Sequence, residues 1–434
     1  MRANVIGAGL AGCEAAWALA NQGVQVRLYE MKPQKYSPAH QNAGFAELVC
    51  SNSLKAQRIG SAAGMLKEEM RLMGSLVVDC ALATSVAAGG ALAVDRDAFS
   101  ALVTHQILSH KNIEVVHQEV TKIPNDDYTV IATGPLTSDA LAAKIERLCG
   151  GSLSFFDAAA PIVTFDSLDQ DKVFFAARYD RGDDDYINCP FNKEEYEHFY
   201  EALLSAESAP LHAFDAPEKN VYEGCMPIEI MAKRGADTIR YGPLKPVGLR
   251  DPRTGHRPWA VVQLRRENND GTLYNLVGFQ TNLKFGEQKR VFSMIPGLEN
   301  AEFMRYGVMH RNTFINSPQL LNRTFQMRTN EKIYFAGQIT GVEGYIESAM
   351  SGILAGKHLS RAMQGKPELV LPHDCMSGAL CAYISDESVV NFQPMGCNMG
   401  ILPPSETRIR DKQQRYLEIA QRGLEHLKQV LDKE

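Results

Sequence analysis

Apolar residues and glycines alternate over the first thirty residues in the order expected for a strand, a turn, a helix and a second strand. Val5-Ile6 is predicted to be a buried strand, and the turn after it carries three glycines within 7–12. An alanine-rich helix is predicted over 13–22, followed by a strand over 24–29 that ends at an acid. This order predicts a parallel α/β fold that starts at the first residues of the chain.

Two later segments continue the same pattern. A buried strand is predicted over 128–134, and it ends in a Thr-Gly pair. A strand over 333–338 runs into a glycine turn, and a helix of small residues is predicted over 347–359. We expect both segments to join the sheet that the N-terminal strands begin.

The chain between these segments has a different sequence pattern, with proline-rich turns and an apolar strand over 259–264. A length of 434 residues exceeds what one hydrophobic core serves, so two or three domains are expected. We predict a nucleotide-binding domain in two parts, 1–149 and 326–434, with an inserted α+β substrate domain at 150–325. Apolar residues spaced by three and four over 417–431 predict an amphipathic helix docked on the body.

Composition supports a globular cytoplasmic protein. Hydrophobic residues make up 45% and charged residues 22% of the chain, which is ordinary for folded domains. The nine cysteines form no C-x-x-C pair and no zinc-like spacing, which indicates reduced thiols and no metal site. No apolar run reaches the length of a membrane helix, so no membrane association is expected.

Charge is unevenly distributed along the chain. The net charge of −6 does not favour nucleic-acid binding by the molecule as a whole. Residues 231–266, however, include nine Lys or Arg and only two Asp, whereas 166–197 is strongly acidic. Such asymmetry builds a cationic face for a polyanion. The alternative is a solvated surface with internal ion pairs.

The glycine turn matches the dinucleotide-binding fingerprint G-x-G-x-x-G. In that fingerprint Gly7 permits the tight turn, Gly9 lets backbone approach a pyrophosphate, and Gly12 allows close helix packing. Glu30, 18 residues after Gly12, is placed to take ribose hydroxyls. The predicted cofactor-binding residues are Gly7, Ala8, Gly9, Leu10, Ala11, Gly12, Glu30, Thr133, Gly134, Gly337 and Gln338.

The late glycine turn favours FAD over NAD as the bound nucleotide, since a dehydrogenase does not need it. The fold class is therefore a Rossmann-type FAD-binding domain, glutathione-reductase-like, with an insertion. The chain has no second G-x-G-x-x-G, so no site for a reducing nicotinamide is located. Many flavoproteins have Asp where Gln338 stands, which is a departure from the broad pattern.

Two cysteines have surroundings suited to chemistry. Cys225 lies in Tyr-Glu-Gly-Cys-Met-Pro, where glycine and proline fix the backbone beside the thiol. Cys50 lies in Leu-Val-Cys-Ser-Asn-Ser, a polar loop able to lower a thiol pKa. The alternative for either is a small core residue.

Four segments carry a resemblance to a known family. GFAELVCSNSLK at 44–55, EGCMPIE at 223–229, VGFQTNLK at 277–284 and AGQITGVEGY at 336–345 closely resemble the bacterial folate- and FAD-dependent tRNA (uracil-5-)-methyltransferases. The resemblance implies methylation of the T-loop uridine at position 54 of tRNA. It also implies 5,10-methylenetetrahydrofolate as carbon donor and reduced FAD, restored by NADH or NADPH, as reductant.

The resemblance gives roles to individual residues. Cys225 is expected to attack C6 of uracil and Cys50 to act as its partner, as base or protecting thiol, and the two roles could be exchanged. A thiolate suits this conjugate addition, because C5 becomes nucleophilic only after C6 is attacked. His310 matches a position expected to stack on the folate pterin, with a structural histidine as the alternative. Lys284, Arg265 and Arg266 complete the predicted substrate-binding residues.

Three alternative functions are consistent with parts of the sequence. A related flavoprotein that modifies the tRNA wobble uridine shares the fold and the substrate class, but it is expected to be considerably longer. A flavin oxidoreductase for a small molecule leaves the basic stretch and the Cys225 segment unexplained. A non-catalytic flavin-bound RNA chaperone differs from all of these in transferring no methyl group.

Overall fold

The computed structural model describes residues 1–37, 39–124, 127–151, 153–158, 160–180, 186–209, 226–268, 270–307, 309–389, 392–405 and 407–433. The strands are β1 Arg2–Ile6, β2 Gln25–Glu30, β3 Ser53–Ala56, β4 Ser85–Val86, β5 Ala91–Val94, β6 Ile113–His117, β7 Tyr128–Ile131, β8 Leu153–Ala158, β9 Ile162–Thr164, β10 Phe174–Phe175, β11 Tyr186–Phe191, β12 Ala260–Arg266, β13 Leu273–Leu276, β14 Phe303–Arg305, β15 Met309–Phe314, β16 Gln326–Met327 and β17 Asn330–Phe335. The helices are α1 Leu10–Asn21, α2 Ala62–Leu72, α3 Leu76–Ala83, α4 Arg96–Ser109, α5 Asp139–Cys149, α6 Lys193–Ser205, α7 Ile228–Ala232, α8 Ala236–Tyr241, α9 Phe285–Phe292, α10 Ser317–Leu320, α11 Tyr345–Met363, α12 Met376–Ser385 and α13 Lys412–Leu431.

The first sheet is the predicted nucleotide-binding sheet. Its strand order is β16-β17-β7-β1-β2-β6, and the N-terminal strand β1 pairs in parallel with β2 on one side and β7 on the other. Val5 lies opposite both Leu28 and Val130, and these three side chains are fully buried. The strand β17, which begins about 200 residues after β7 ends, pairs in parallel with β7. The Rossmann-type prediction is therefore confirmed, including the return of the chain to the same sheet.

Helix α1 packs on helix α11 through small residues. A Cβ on Gly352 would lie 2.1 Å from the carbonyl oxygen of Ala11, so the two backbones approach as closely as glycine allows. Helix α1 begins three residues before its predicted start, because Leu10 to Gly12 form its first turn as well as the end of the glycine loop. Helix α11 is also longer than predicted, running from Tyr345 to Met363.

A second sheet forms a separate core. Its order is β10-β11-β12-β13-β9-β14, and all of its pairs are antiparallel. Buried apolar residues from 160 to 301 form its core, and none of them belongs to the core of the first sheet. The antiparallel pair β8–β15 lies where the chain enters and leaves this region. These separate cores support the inserted domain; the boundaries 1–149, 150–325 and 326–434 remain a prediction.

The C-terminal helix α13 docks on the body, as its spacing predicted. Ala420, Leu424 and Leu427 are buried, whereas Leu417 is 41% exposed and lies at the margin of the buried face. The helix begins earlier than predicted, at Lys412, because Asp411 caps it by accepting a hydrogen bond from the Gln414 N–H.

One buried carboxyl holds the start of a helix. Glu69 of α2 accepts the N–H groups of Met376 and Ser377, at 2.6 and 2.8 Å, in the first turn of α12. Burial raises the pKa of Glu69 to about 7, against hydrogen bonds that favour the ionised form. In the described ranges, no helix is long and apolar enough to cross a membrane.

Candidate nucleotide and thiol site

A cavity opens where β1, β2 and β7 end. Ligands of open α/β sheets bind outside the carboxyl ends of the strands, so its place in the fold is that of a nucleotide site. Ten of the eleven predicted cofactor-binding residues line it, namely Gly7, Ala8, Gly9, Leu10, Ala11, Glu30, Thr133, Gly134, Gly337 and Gln338. The sequence fingerprint therefore located the cavity.

Gly12, the eleventh, lies behind the cavity wall and has a packing role. A Cβ built on Gly12 would lie 1.7 Å from the carbonyl oxygen of Gly7, closer than any side chain permits. Gly7 itself has a φ of +98°, the left-handed region that favours glycine. The turn therefore requires both glycines for its shape, and Leu10 and Ala11 in the first turn of α1 line the cavity, where a helix N-terminus favours an anion.

Glu30 holds the glycine loop against the end of β2. Its carboxylate accepts the N–H groups of Ala8 and Lys32, each at 2.9 Å, and the residue is buried. The carboxylate also borders the cavity, where the fingerprint places ribose hydroxyls. Glu30 therefore lies at the cavity, and its role as a ribose ligand stays a prediction.

The late glycine turn closes the opposite side of the cavity. Gln338, which stands where many flavoproteins have Asp, donates its amide to both oxygens of Glu343, at 2.9 and 2.8 Å. The Gly337 N–H donates to Ser351 Oγ at 2.6 Å. Gln338 therefore keeps a polar side chain at the edge of the cavity, although many flavoproteins have Asp at this position.

The Cys50 loop is attached to the cavity by its backbone. The N–H groups of Cys50 and Ser51 both donate to the hydroxyl oxygen of Tyr345, at 2.7 and 3.2 Å. Tyr345 lines the cavity, as does Val49 beside Cys50. Burial raises the pKa of Tyr345, which stays a neutral phenol able to accept these bonds. The half-buried Cys50 therefore lies next to the cavity.

The inserted domain holds the same loop from the other side. Arg265 of β12 donates from Nε to Asn52 Oδ1 at 2.9 Å and from Nη2 to Ser51 Oγ at 2.6 Å. The amide of buried Asn52 donates in turn to the backbone oxygens of Arg266, at 2.8 Å, and Val94, at 3.0 Å. The end of β12 therefore fixes Ser51 and Asn52, the two residues that follow Cys50.

A buried ion pair reinforces this junction. Arg96, at the start of α4, contacts Glu267 with an Nε–Oε2 distance of 2.6 Å, and the two side chains are 16% and 3% exposed. The Nη1 of Arg96 also donates to the backbone oxygen of Leu48 at 2.6 Å, two residues before Cys50. The guanidinium therefore joins the inserted domain to the thiol loop.

Two further residues of the site were missed from the sequence. His40 lines the cavity, and burial lowers its pKa to about 4, so it is neutral at pH 7. Half-buried Arg305 of β14 lies within electrostatic reach of Cys50 and Glu47. Burial is the main cause that lowers the pKa of Arg305, and the like charge of Arg96 lowers it further. Neither stands in a pattern that indicates a site; His40 only precedes the Cys50 segment.

The remaining predicted site residues have different outcomes. Cys225 lies outside the described residues. His310 lies on β15, opposite Asp157 of β8 in the ladder. Lys284 is exposed and contacts Glu207. Within the described part of the chain, no group of three His, Cys, Asp or Glu side chains could hold a metal ion.

Arg265 and Arg266 are adjacent in sequence and differ in exposure. Arg265 is 8% exposed and its guanidinium is occupied by the Cys50 loop, so a phosphate contact would require those bonds to break. Arg266 is half-exposed at the end of β12. Of the two, only Arg266 is in a position to meet a substrate from solvent.

Comparison with known proteins gives consistent matches. The family described as "Glucose inhibited division protein A" matches residues 2–367. The methylenetetrahydrofolate--tRNA-(uracil-5-)-methyltransferase TrmFO of Acetivibrio thermocellus is 59% identical over 431 residues, covering 99% of this chain and 98% of that protein. The protein of the same name from Ligilactobacillus salivarius is 58% identical, covering 98% and 97%.

Among solved structures, GidA of Aquifex aeolicus superposes with a TM-score of 0.70 at 17% identity. The match covers 100% of this chain and 75% of that one. At this level of identity the likeness concerns the fold alone, and it agrees with the two-sheet architecture described above.

Proposed function

The chain belongs to the glucose inhibited division protein A family, and we propose that it acts as a folate- and FAD-dependent tRNA (uracil-5-)-methyltransferase. Near-full-length identity with relatives of that name supports this activity over wobble-uridine modification and over small-molecule oxidation. The structural observation that carries the proposal is the pair of hydrogen bonds from the Cys50–Ser51 backbone to Tyr345. These bonds attach the Cys50 loop to a residue that lines the cavity, which supports a role for this thiol.

The residues around the cavity fit FAD. A Cβ on Gly7 would lie 2.7 Å from the backbone oxygen of Ala132, so this wall is shaped by glycine. Glu30 and the first turn of α1 both border the cavity, and we assign Glu30 to ribose hydroxyls and the helix N-terminus to the pyrophosphate. When bound and reduced, FAD supplies the electrons that convert a carbon at the methylene level into a methyl group.

The chain's own groups then activate the pyrimidine. We assign the attack on C6 of uracil to Cys225 and the role of partner thiol to Cys50, with exchange of the two roles as the alternative. Addition of a thiolate to C6 makes C5 nucleophilic toward the one-carbon unit, and departure of the C5 proton and the thiolate restores the ring. The loop that carries Cys50 is fixed at both flanks, which suits a group that must meet a base at one position.

The substrates complete the proposal. tRNA, through its T arm, is the acceptor, and 5,10-methylenetetrahydrofolate is the donor. We assign Arg266, Lys284 and the exposed cations of 233–257 to phosphate or folate contacts, and His310 to the pterin. Arg265 is assigned to the Cys50 loop instead. NADH or NADPH as reductant and a cytoplasmic location are also part of the proposal.

The decisive experiment incubates the purified protein with undermodified tRNA, labelled methylenetetrahydrofolate and NADPH. Label is expected at C5 of a T-loop uridine. Cys225→Ala and Cys50→Ala should each lose at least about 100-fold in methyl transfer while keeping the flavin spectrum, because neither thiol holds the nucleotide. Full activity in Cys225→Ala would overturn the assignment, and a protein that cannot be reconstituted with flavin would overturn the function.

A further inference from the structure

One surface of the inserted domain carries a stack of aromatic and cationic side chains. The guanidinium carbon of Arg240 lies 3.6 Å from the ring centroid of Trp259 and 4.9 Å from that of Tyr241. The ammonium of Lys193 lies 5.7 Å from the Trp259 centroid. We name Lys193, Arg240, Tyr241 and Trp259 the aromatic platform.

The platform is held rigid by hydrogen bonds. Arg240 donates from Nε to the backbone oxygen of Trp259 at 3.0 Å and from Nη1 to the Tyr241 hydroxyl at 2.9 Å. Its other Nη1 contact is Asp237, at 3.5 Å. The guanidinium is therefore held in contact with both aromatic side chains, and Tyr241 itself is 55% exposed.

A single exposed aromatic residue is common, so exposure alone assigns nothing. The surroundings of Tyr241 set it apart. Lys233 and Arg234 are exposed in the turn that precedes α8, and Arg257 is exposed two residues before Trp259. Apart from Asp237, which contacts Arg240, the charges nearest in sequence to Tyr241 are positive. This combination of a ring and several cations matches RNA better than it matches an apolar protein partner.

We propose that Tyr241 stacks on an unpaired nucleobase of the bound tRNA, while the neighbouring cations contact the flanking phosphates. The inference rests on the proposed function, since it takes tRNA as the partner. Bases within a helix are already stacked, so the recognised base lies in a loop, a bulge or a single-stranded end. Arg240, 4.9 Å from the ring centroid, adds a cation beside the stack.

The test compares three substitutions of Tyr241 in the FAD-loaded protein. Tyr241→Ala is expected to weaken tRNA binding roughly tenfold, since a base loses its stacking partner. Tyr241→Leu should bind as weakly, because it keeps apolar bulk without a ring. Tyr241→Phe is the matched control and should stay within roughly twofold of the wild type, because it retains the ring. Since the ring is exposed, thermal unfolding should be the same in all three.

Salt dependence separates stacking from charge. The slope of log Kd against log salt should not change in Tyr241→Ala, because stacking releases no counterions, whereas Lys233→Ala should lower it. At saturating tRNA, kcat of Tyr241→Ala should equal that of the wild type while KM rises. Unchanged tRNA affinity in both Tyr241→Ala and Tyr241→Leu would overturn the proposal. The proposal would also fail if these variants lost binding to a protein instead of to tRNA. Wild-type protein that binds tRNA through Tyr241 but transfers no methyl group would overturn the proposed function alone.

Discussion

Glu267→Gln tests whether the inserted domain controls the thiol loop. The Arg96–Glu267 pair is buried, with side chains 16% and 3% exposed, so removal of the carboxylate leaves a guanidinium without its counter-charge. Breaking a buried pair on one side costs roughly 3–5 kcal/mol. Because Arg96 keeps its bond to Leu48 and some contact with water, we expect about 3 kcal/mol in the free energy of unfolding.

The larger effect should be on catalysis. Arg96 without Glu267 no longer has a fixed position, and its bond to the Leu48 oxygen holds the backbone two residues before Cys50. A displacement of about 1 Å at a reacting group costs on the order of 100-fold in rate. We expect kcat for methyl transfer to fall roughly 10- to 100-fold, with KM for tRNA and the flavin spectrum nearly unchanged.

Urea unfolding and single-turnover methyl transfer measure the two effects. Lys172→Ala is the control, because it breaks an exposed pair with Glu299 in the same domain, 2.8 Å apart, and should alter neither stability nor rate appreciably. If Glu267→Gln loses stability but keeps the wild-type kcat, the ion pair joins two domains without positioning the loop. That result would refute the reasoning.

Two further predictions concern the nucleotide-binding domain. Gly12→Ala should abolish FAD binding, measured by flavin absorbance, because its Cβ would meet the Gly7 oxygen; Gly286→Ala, with open space around it, should bind FAD normally. The pKa of Glu69 is raised from 4.5 to about 7, so its contribution to stability is present below pH 4.5 and is lost as pH rises to about 7. Urea unfolding should therefore show the wild type losing stability relative to Glu69→Gln across that range, and a difference independent of pH would contradict the raised pKa.

The nucleotide-binding half could be predicted because its determinants are local. The fingerprint needs glycines at fixed spacing, because a Cβ built on Gly12 would lie 1.7 Å from the carbonyl oxygen of Gly7. Helix starts were less accurate, since Leu10 serves the loop and the helix at once. The inserted domain was predicted from its proline-rich turns and its separate apolar strand. Its strand order depends on antiparallel pairs that no local pattern specifies.

The thiol site could be predicted only in part. The Cys50 segment was identified from its sequence, whereas Arg96 and Glu267, 171 residues apart, acquire a role only when the two domains meet. Arg265 was read as a substrate ligand because it stands in a basic stretch, yet its guanidinium is turned inward to Ser51 and Asn52. Charge counted along a sequence does not distinguish a solvent-facing arginine from a buried one.

Strand β12 connects the two ends of the proposed reaction. Trp259 of the aromatic platform precedes its first residue, and Arg265, which holds the Cys50 loop, is its last but one. Seven residues of extended strand span roughly 20 Å, and the interior of a sheet does not stretch. If both proposals hold, a base stacked on Tyr241 and a uridine at the thiol loop would be held at a nearly fixed separation. Selection of the target uridine would then follow from the distance between two unpaired bases of the same RNA as well as from contacts at the reacting ring.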